Sequence, residues 1–296
     1  MTAGIDLANG AVRAVAVDAD GRVLARSEQT ATDRDMAAAV KEALKAFGAL
    51  GNGGPSVIGV ATPNPGELLP APVTALLADE IPGAFMTVSA GASSALAEAW
   101  CGAAVDCKNL VVFNVGRHVT AGVIVGGRLL GGAHDLAGSV GWMAMNPVER
   151  DDYRRLGGLE AEIGAAGVVR RLVWRIKSGD RSAIADQVSG DLARISSDMV
   201  FDAARAGDGV CVSVVRDTIK YVGMAIANLA VVVDPECVVV GGTIASGGDL
   251  TLEGIRTESR RRMRPQQADA LNIVLSTLGI DAVSIGAARA ALLERR

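Results

Sequence analysis

Short apolar runs separated by glycine-containing dipeptides open the chain. The runs cover Ala3–Leu7, Ala11–Val17 and Arg22–Ser27, and Asn9-Gly10 and Asp20-Gly21 stand between them. Asn-Gly and Asp-Gly favour the two-residue turns of β-hairpins, because these residues tolerate the positive φ that such turns need. The pattern therefore predicts three antiparallel strands at the start of the chain.

Helical and extended patterns then alternate through the first hundred residues. Apolar residues recur at helical spacing over Asp33–Phe47, Pro72–Asp79 and Gly91–Trp100. Short apolar runs at Ser56–Ala61 and Phe85–Val88 are typical of buried strands. This alternation predicts a fold of the α/β class.

A second copy of the opening pattern begins near residue 109. The segments "GIDLANGAVRAVAVDADGRVL" and "LVVFNVGRHVTAGVIVGGRLL" both consist of a strand, a glycine-containing turn, a strand, another glycine turn and a third strand, and Asp6 aligns with Asn114. An internal repeat of this length predicts two similar α/β lobes. We expect an N-terminal lobe over 1–108 and a C-terminal lobe over 109–281, with a C-terminal helix over 282–296 that packs back on the first lobe.

The remainder of the chain is mostly helical in pattern. Helical spacing predicts helices over Leu159–Ile176, Ala183–Gln187, Asp191–Ala204, Cys211–Val233, Gly254–Met263 and Ala282–Glu294. Two β-branched runs, Glu236–Val240 and Ile273–Ser276, predict strands. The most apolar long stretch, Tyr221–Val233, has thirteen residues. A span of the bilayer needs about 20 residues, so no membrane partner is expected.

Composition and charge narrow the function classes. The chain has 296 residues, half of them apolar, with 36 glycines, nine aromatic residues and a formal charge of −4. This balance is that of a globular protein and excludes a disordered chain or a coiled coil. A nucleic-acid partner is not expected, because there is no basic surface signal and few aromatic side chains for base stacking.

Cysteine and histidine are sparse. The four cysteines form no C-x-x-C pair, and only two histidines are present. This distribution argues against a structural zinc site and favours reduced thiols in a cytoplasmic protein. The N-terminal sequence MTAGIDLANG has no basic region followed by an apolar core, so it does not predict a signal peptide.

Several segments together resemble a known family. They are "NLAVVVDPECVVVGGTIASGGDL" (Asn228–Leu250), "VGGRLLGGAHDLAGSVGWMAMNP" (Val125–Pro147), "GLEAEIGAAGV" and the opening segment. Their order and spacing resemble the ROK family of sugar kinases and repressors, in the superfamily of actin and hexokinase. The resemblance implies a two-lobed, actin-like and ribonuclease-H-like ATPase fold with a central cleft. No helix-turn-helix segment precedes Gly4, so the repressor branch is disfavoured.

The resemblance also implies chemistry and partners. The family transfers a phosphoryl group from ATP to a sugar hydroxyl, so ATP and Mg²⁺ are the expected cofactors of an active member and a sugar-like small molecule is the expected partner. Phosphoryl transfer needs phosphate-binding turns, a metal ion near a carboxylate and a group that accepts the hydroxyl proton. A homodimer is also implied by the family.

On the nucleotide side, the resemblance places Asp6 near Mg²⁺ and Gly10 and Gly116 in two phosphate turns. The adenosine-contacting turn falls on Gly241, Gly242 and Thr243. Simpler interpretations stay open, namely a turn-capping role for Asp6 and an ordinary strand-to-helix turn at Gly241-Gly242.

Both phosphate turns depart from the family pattern. The family's G-T-G-x-G turn carries Arg117 and His118 here, and its G-G-T-K turn lacks the threonine and the lysine. Arg117 would bind a phosphate, fill the nucleotide pocket or extend into solvent. His118 would be a base only with its side chain in the cleft.

The sugar side departs further from the family. The resemblance places the general base at Ala90, which cannot accept a proton, and sugar contacts at Ser89, Ser139, Trp142 and Glu160. Of these contacts only Glu160 keeps the family residue. Glu160 could also simply favour the start of a helix, and Trp142 could serve packing alone.

The family's zinc ligands are absent as well. The three zinc cysteines of the family fall on Asp151, Tyr153 and Gly158, and the zinc histidine falls on Trp142. No bound zinc is therefore expected.

Two functions follow from these departures. The favoured hypothesis is a non-catalytic or catalytically weak relative that serves as a sensor, scaffold or oligomer partner. The alternative is an ATP-dependent kinase for an unusual sugar, amino sugar or cyclitol.

Overall fold

The architecture is that of a computed structural model, which describes the whole chain except residues 8–10, 33, 49–54, 56, 82–84 and 295–296. The predicted Asn9-Gly10 turn, and with it the candidate phosphate-turn residue Gly10, lies outside the described residues. The described residues form two five-stranded sheets with helices between the strands. The predicted α/β class is therefore confirmed.

The first sheet combines a meander with two parallel strands. Its strand order is β3-β2-β1-β4-β5. Strands β1 to β3 are antiparallel, and β4 and β5 extend the sheet in parallel to β1. The strands are β1 (Thr2–Asp6), β2 (Ala11–Val17), β3 (Val23–Thr30), β4 (Ile58–Thr62) and β5 (Phe85–Ser89).

Three helices accompany this sheet, namely α1 (Met36–Gly48), α2 (Ala71–Glu80) and α3 (Ala90–Cys101). Helix α1 buries Val40, Ala43 and Phe47, which lie three and four residues apart and so share one helix face. These side chains form one hydrophobic cluster with Ile5 and Val12 of the sheet. The amphipathic pattern of the sequence is thus what attaches α1 to the strands.

The second sheet has the order β10-β9-β6-β7-β8. Its strands are β6 (Leu110–Val115), β7 (Val119–Val125), β8 (Arg128–Leu129), β9 (Cys237–Gly241) and β10 (Asn272–Leu275). Each sheet thus places its first strand between the second strand and the fourth. This shared order is the structural counterpart of the repeat seen in the sequence.

The second half contains ten helices among the described residues. They are α4 (Asp151–Leu156), α5 (Gly158–Ile163), α6 (Ala165–Lys177), α7 (Ala183–Gln187), α8 (Ser197–Arg205), α9 (Gly209–Val233), α10 (Thr243–Ser246), α11 (Gly248–Arg260), α12 (Pro265–Ala270) and α13 (Ala282–Glu294). Within the described part of the chain, no helix has the length and apolar character needed to cross a membrane.

Three predicted helices differ from those observed by more than three residues at an end or by a break, and one of them, predicted over Gly254–Met263, is α11 over Gly248–Arg260. The predicted helix over Leu159–Ile176 is divided into α5 and α6, because Gly164 has an extended backbone with φ −60° and ψ 161°. The predicted helix over Asp191–Ala204 begins instead at Ser197, after a 3₁₀ turn over Leu192–Arg194. The Ser196 hydroxyl accepts a hydrogen bond from the Met199 amide, which fixes that start.

The chain divides into two compact units. The first comprises Met1–Phe113, Thr120–Ser139 and Ser276–Arg296, and the second comprises Asn114–Val119 and Val140–Leu275. Within the first unit, α13 packs against β1, β4 and α3. The packing depends on glycine, because a Cβ atom on Gly4 or Gly59 would lie 1.8 Å from a backbone oxygen of α13.

Candidate functional site

In the first unit, candidate residues gather at one end of three parallel strands. Asp6 is paired with Ala61 on β4, and Ala61 is paired with Val88 on β5, so the three residues lie at the same level of the sheet. Asp6 is fully buried at the carboxyl end of β1. Ligands of α/β proteins bind at such carboxyl ends. Asp6 therefore lies at the carboxyl ends of the parallel strands, which is the side of the sheet where such ligands bind.

Ser89 and Ala90 connect the same sheet edge to α3. The Ser89 hydroxyl caps α3 and accepts a hydrogen bond of 3.3 Å from the Ala92 amide. Ala90, the first residue of the helix, is only 5% exposed and belongs to an apolar cluster with Ala61, Val283 and Ala287. The position that the family resemblance assigns to the general base is thus enclosed by apolar side chains.

Ser139 is the last residue of the segment Thr120–Ser139 in the first unit, and its side chain bonds to the turn that precedes it. Its hydroxyl donates a hydrogen bond of 2.7 Å to the carbonyl oxygen of Leu136. The preceding Gly138 has φ +89°, and a Cβ atom there would lie 2.0 Å from the Ala121 oxygen. The hydroxyl of Ser139 can therefore still accept a hydrogen bond from a ligand, but its own hydrogen is already used.

In the second unit, a small pocket lies between the turn after β6 and the end of β9. Its empty volume is about 210 Å³ with the open mouth included. The lining is apolar except for two hydroxyl side chains, and it consists of Val115, Gly116, Ile163, Ala165, Val168, Ser197, Phe201, Thr243 and Ile244. Two of the residues predicted to contact a nucleotide, Gly116 and Thr243, thus line one pocket.

Glycine at position 242 lets the two sides of this pocket approach each other closely. Gly242 has φ +81°, and a Cβ atom there would lie 2.5 Å from the Val115 oxygen. A Cβ atom on Gly116 would lie 3.5 Å from the Thr243 hydroxyl oxygen. Gly241 is the buried last residue of β9. Gly242 is therefore required for β9 and the turn after β6 to approach each other.

The turn from Gly116 to His118 bonds mainly to the protein itself. The Gly116 amide donates to the His118 oxygen at 3.1 Å, and the Gly116 oxygen accepts from the Ala165 amide at 2.8 Å. Arg117 is exposed. One backbone amide of the predicted phosphate turn is thus already satisfied, and a large charged side chain projects from the turn into solvent.

His118 and Glu160 form a pair beside this turn. The His118 Nδ1 atom lies 3.3 Å from Glu160 Oε1, and the Val119 amide donates to Glu160 Oε2 at 2.8 Å. The side chains are 28% and 13% exposed. Glu160 lies in the first turn of α5, where a helix dipole favours a carboxylate. The sequence had named both residues but had not predicted their pairing.

Trp142 lies beside the same pair. It ends a 3₁₀ turn over Val140–Trp142 and is 58% exposed. A Cβ atom on the preceding Gly141 would lie 3.2 Å from Glu160 Oε2, and one on Gly157 would lie 2.8 Å from the Trp142 Cα atom. The backbone of this turn therefore packs directly on α5, next to the Glu160 carboxylate.

A polar network fixes the other side of α5. Glu162 is 5% exposed, and its Oε1 atom accepts hydrogen bonds from the Tyr153 hydroxyl and, at 2.9 Å, from Arg150 Nη1. The Arg150 guanidinium also lies over the Tyr153 ring, 4.5 Å from its centre. Burial, and then the hydrogen bond to Glu162, raise the pKa of Tyr153 to about 12. The network links α4 to α5 through a buried carboxylate.

This network occupies the segment that the family resemblance assigns to zinc. Tyr153 binds Glu162, the exposed Asp151 binds Arg154 at 2.8 Å, and Gly158 has no side chain. These residues do not fit a zinc site. Across the described residues, no group of three or more His, Cys, Asp or Glu side chains could hold a metal ion. The sequence did not predict the network, because its members follow no helical or strand period.

The fold defines the class of protein. The chain has two sheets of equal strand order, each opened by a meander. Its structure is similar to that of a ROK glucokinase of Streptomyces griseus, which was solved with glucose and AMPPNP. The TM-score is 0.84, and the sequences are 21% identical over 99% of both chains. The ROK hexokinase of Thermus thermophilus matches with a TM-score of 0.77 and 24% identity over 99% and 98% of the two chains. The chain thus has the actin-like ATPase fold. The profile of the ROK family matches residues 2–294, and the chain belongs to this family.

Curated relatives include both enzymes and regulators. A glucokinase of Halalkalibacterium halodurans is 32% identical over 195 residues, which are 65% of this chain and 59% of that protein. A xylose repressor of Caldicellulosiruptor bescii is 29% identical over 196 residues, which are 66% of this chain and 48% of the repressor. The match thus spans between about half and three fifths of each relative. The predicted family and fold class are both confirmed.

Proposed function

We propose that this protein is a ROK-family carbohydrate-binding protein whose phosphoryl transfer is weak or absent, and which acts as a sensor, scaffold or oligomer partner. The observation that carries the proposal is Ala90. The family resemblance places a proton-accepting carboxylate there, whereas the alanine is 5% exposed among Ala61, Val283 and Ala287. General-base assistance contributes roughly 10²–10⁴-fold to rate, so its loss leaves a slow enzyme at best.

The predicted phosphate turn supports the same proposal. Phosphoryl transfer depends mainly on positioning and on stabilising the charge of the transferred group. In this chain the Gly116 amide donates to the His118 oxygen and is not available to a phosphate. The family's small turn residues are replaced by Arg117, which extends into solvent, and by His118, whose ring pairs with Glu160 beside the turn. Both the acceptance of the hydroxyl proton and the binding of the phosphate groups are therefore weakened.

Nucleotide contact is retained in this proposal. Gly116, Gly242 and Thr243, with the pocket around them, would hold the nucleotide, and the family resemblance assigns Asp6 a role near Mg²⁺. When bound, ATP and Mg²⁺ would supply the transferable phosphoryl group and neutralise its charge. The side chains of the protein would contribute only binding and orientation, because Ala90 cannot accept the proton of the sugar hydroxyl. A homodimer and a cytoplasmic location stay predictions from the sequence.

A kinase for an unusual sugar, amino sugar or cyclitol is the second candidate. It is favoured by the His118–Glu160 pair, which places an imidazole beside the residue predicted to contact the sugar. The similarity to a glucokinase supports it as well. In this candidate the sugar contacts would be those that the family resemblance assigns, Ser89, Ser139, Trp142 and Glu160, and the rate would depend on a group other than residue 90.

Thermal unfolding with ATP–Mg²⁺ and a radiolabelled phosphoryl-transfer assay test the proposal together. A ligand that binds the native state stabilises it by RT ln(1 + [L]/Kd). We expect a small upward shift in melting temperature with nucleotide and transfer to glucose or N-acetylmannosamine at the background rate. Turnover in the ordinary enzyme range of about 1–10³ s⁻¹ would contradict the proposal. No shift at millimolar nucleotide would exclude the kinase candidate.

Restoring the missing carboxylate makes the test sharper. The double substitution Ser89→Asn and Ala90→Asp recreates the residue pair of the family. We expect no measurable gain in transfer, because the phosphate turn is altered independently. We also expect lower stability, since the apolar neighbours of residue 90 oppose a charge more strongly than the helix start favours it.

The matched control is the double substitution Ser89→Asn and Ala90→Asn. Asparagine at position 90 has nearly the same shape as aspartate but carries no charge. Burial would raise the pKa of the new carboxyl, so the aspartate variant should lose stability relative to this control as pH rises from 4 to 8. A transfer rate that rises by about 10²-fold or more in the aspartate variant would show that only the base was missing.

A further inference from the structure

We propose that His118 recognises a hydroxyl group of a neutral sugar through its Nε2 atom, with Glu160 as the residue that positions the ring. This inference rests on the proposed function, since it assigns a recognition residue and a ligand class to the same site. The family pattern has a glycine where His118 stands, so a side chain at this point is a feature of this chain.

The pairing with Glu160 determines which ring nitrogen holds the proton. We assign the donor role in this contact to Nδ1, 3.3 Å from Glu160 Oε1, because an ionised carboxylate only accepts hydrogen bonds. In a neutral imidazole the other nitrogen then carries a lone pair and accepts. Glu160 is held in turn by the Val119 amide at 2.8 Å. The pair therefore presents a hydrogen-bond acceptor at a fixed orientation.

The acceptor is available to a ligand. Among the described residues, Nε2 of His118 has no hydrogen-bond partner, and the side chain is 28% exposed. A buried ring would need such a partner from the protein, whereas this ring has room for one from outside. The Nε2 atom is therefore an acceptor left open to a ligand beside Glu160.

The surroundings favour a neutral polyol. Glu160 disfavours an anionic group at the pair through charge repulsion, but its carboxylate oxygens have lone pairs left for a further donor. Trp142, which is 58% exposed, follows Gly141 at the Glu160 carboxylate and offers an apolar aromatic surface. Hydroxyl groups and an apolar C–H face occur together in a sugar ring. A monosaccharide therefore matches the chemistry of both neighbours.

Nuclear magnetic resonance of the histidine rings tests the first step. The chain has only two histidines, His118 and the exposed His134. Long-range ¹H–¹⁵N spectra of ¹⁵N-histidine-labelled protein report which nitrogen of each ring is protonated, and His134→Ala assigns the signals. We expect a protonated Nδ1 atom in His118. Glu160→Ala should remove this preference, and Glu160→Gln should keep it, because the amide oxygen can still accept.

Titration with D-glucose at millimolar concentrations tests the second step. We expect the Nε2 signal of His118 to shift on addition of glucose and the signals of His134 to stay unchanged. His118→Ala should weaken glucose binding about tenfold, the loss expected for one hydrogen bond of about 1.4 kcal/mol. His118→Gln should recover part of the affinity, and His134→Ala should bind as the unmodified protein does. Backbone amide spectra confirm that each variant is folded.

Three results would overturn the inference. They are a protonated Nε2 atom in the unmodified protein, unchanged glucose affinity in His118→Ala, and the absence of any response of His118 to glucose and to N-acetyl-D-mannosamine. The transfer assay is separate from these readouts. High turnover would contradict the proposed weak transfer and leave His118 as a sugar contact, whereas silent histidine signals with background turnover would contradict only this inference.

Discussion

At the scale of single residues, two glutamates of one short helix have different roles. Glu160 and Glu162 are two positions apart on α5, so their side chains point about 200° apart around the helix axis. Glu160 contacts His118 and the Val119 amide, and Glu162 is buried against Tyr153 and Arg150. The buried Glu162 therefore anchors the helix on which Glu160 lies.

Tyr153→Phe should weaken this anchor. The substitution removes one donor to the buried Glu162 carboxylate, and we expect a loss of about 1–3 kcal/mol in the free energy of unfolding at neutral pH. The pKa of Tyr153 is raised to about 12 in the native state, from an ordinary value of 10.0. The native state thus keeps the phenol proton longer than the unfolded chain does, and stability should fall as pH rises through this range.

Denaturant unfolding at several alkaline pH values measures both effects. The Tyr153→Phe variant should lose less stability between pH 10 and 12 than the unmodified protein does. Tyr221→Phe is the comparison, because it keeps the titration of Tyr153 and removes the other tyrosine, whose pKa is also raised, chiefly by burial. An alkaline dependence of Tyr153→Phe equal to that of the unmodified protein would contradict the raised pKa of Tyr153.

At the scale of elements, glycine decides how the helices of the first unit pack. Helix α13 lies against α3 with almost no space between the backbones, since a Cβ atom on Gly286 would lie 1.6 Å from the Ser93 oxygen. Helix α3 in turn approaches β7, where a Cβ atom on Gly91 would lie 2.3 Å from the Ala121 oxygen. The position of Ala90 at the start of α3 is therefore determined by backbone contacts along the helix.

Gly286→Ala should destabilise the protein by about 1–3 kcal/mol, because the added methyl group must displace backbone atoms. Gly209→Ala is the control, since Gly209 also lies in a helix but has no neighbouring atom within 4 Å of its ideal Cβ position. Alanine favours helices more than glycine, so the control should be neutral or slightly stabilising. Thermal and urea unfolding measure the difference, and equal stabilities would contradict the close packing of α13 on α3.

At the scale of the whole molecule, the stability of the second unit should not depend on a metal ion. The zinc positions of the family resemblance carry Asp151, Tyr153 and Gly158, and a hydrogen-bonded network around Glu162 links α4 to α5. Structural zinc contributes directly to folding energy where it is present. A protein stabilised by this network should therefore unfold at the same temperature with and without a chelator.

Elemental analysis of the purified protein should give no stoichiometric zinc, and incubation with EDTA or phenanthroline should leave the melting temperature unchanged. Glu162→Ala provides the contrast, because it removes the acceptor shared by Tyr153 and Arg150 and should lower the melting temperature. One tightly bound zinc ion per chain, or a large loss of stability with the chelator, would show that metal ligands had been assigned wrongly.

The sequence by itself determined the family, the α/β class and most of the elements. Strand and helix positions follow from apolar runs, helical spacing and turn residues, which are local properties of the chain, and the observed bounds of β2 and α13 equal the predicted ones. The break at Gly164 and the short helix α4 were not predicted. They depend on contacts outside the segment, such as the bond from the Ala165 amide to the Gly116 oxygen.

The candidate site required the tertiary structure. The sequence named Glu160, Trp142, Gly116 and Thr243 one by one, but their grouping depends on where the fold places them. His118 and Glu160 are 42 positions apart, and Arg150 and Glu162 are twelve apart. Such pairs leave no periodic signal, because hydrogen bonds between distant segments depend on how β6, β7 and α5 pack and not on local propensity. Local pattern therefore fixed the elements, and packing alone decided which side chains meet.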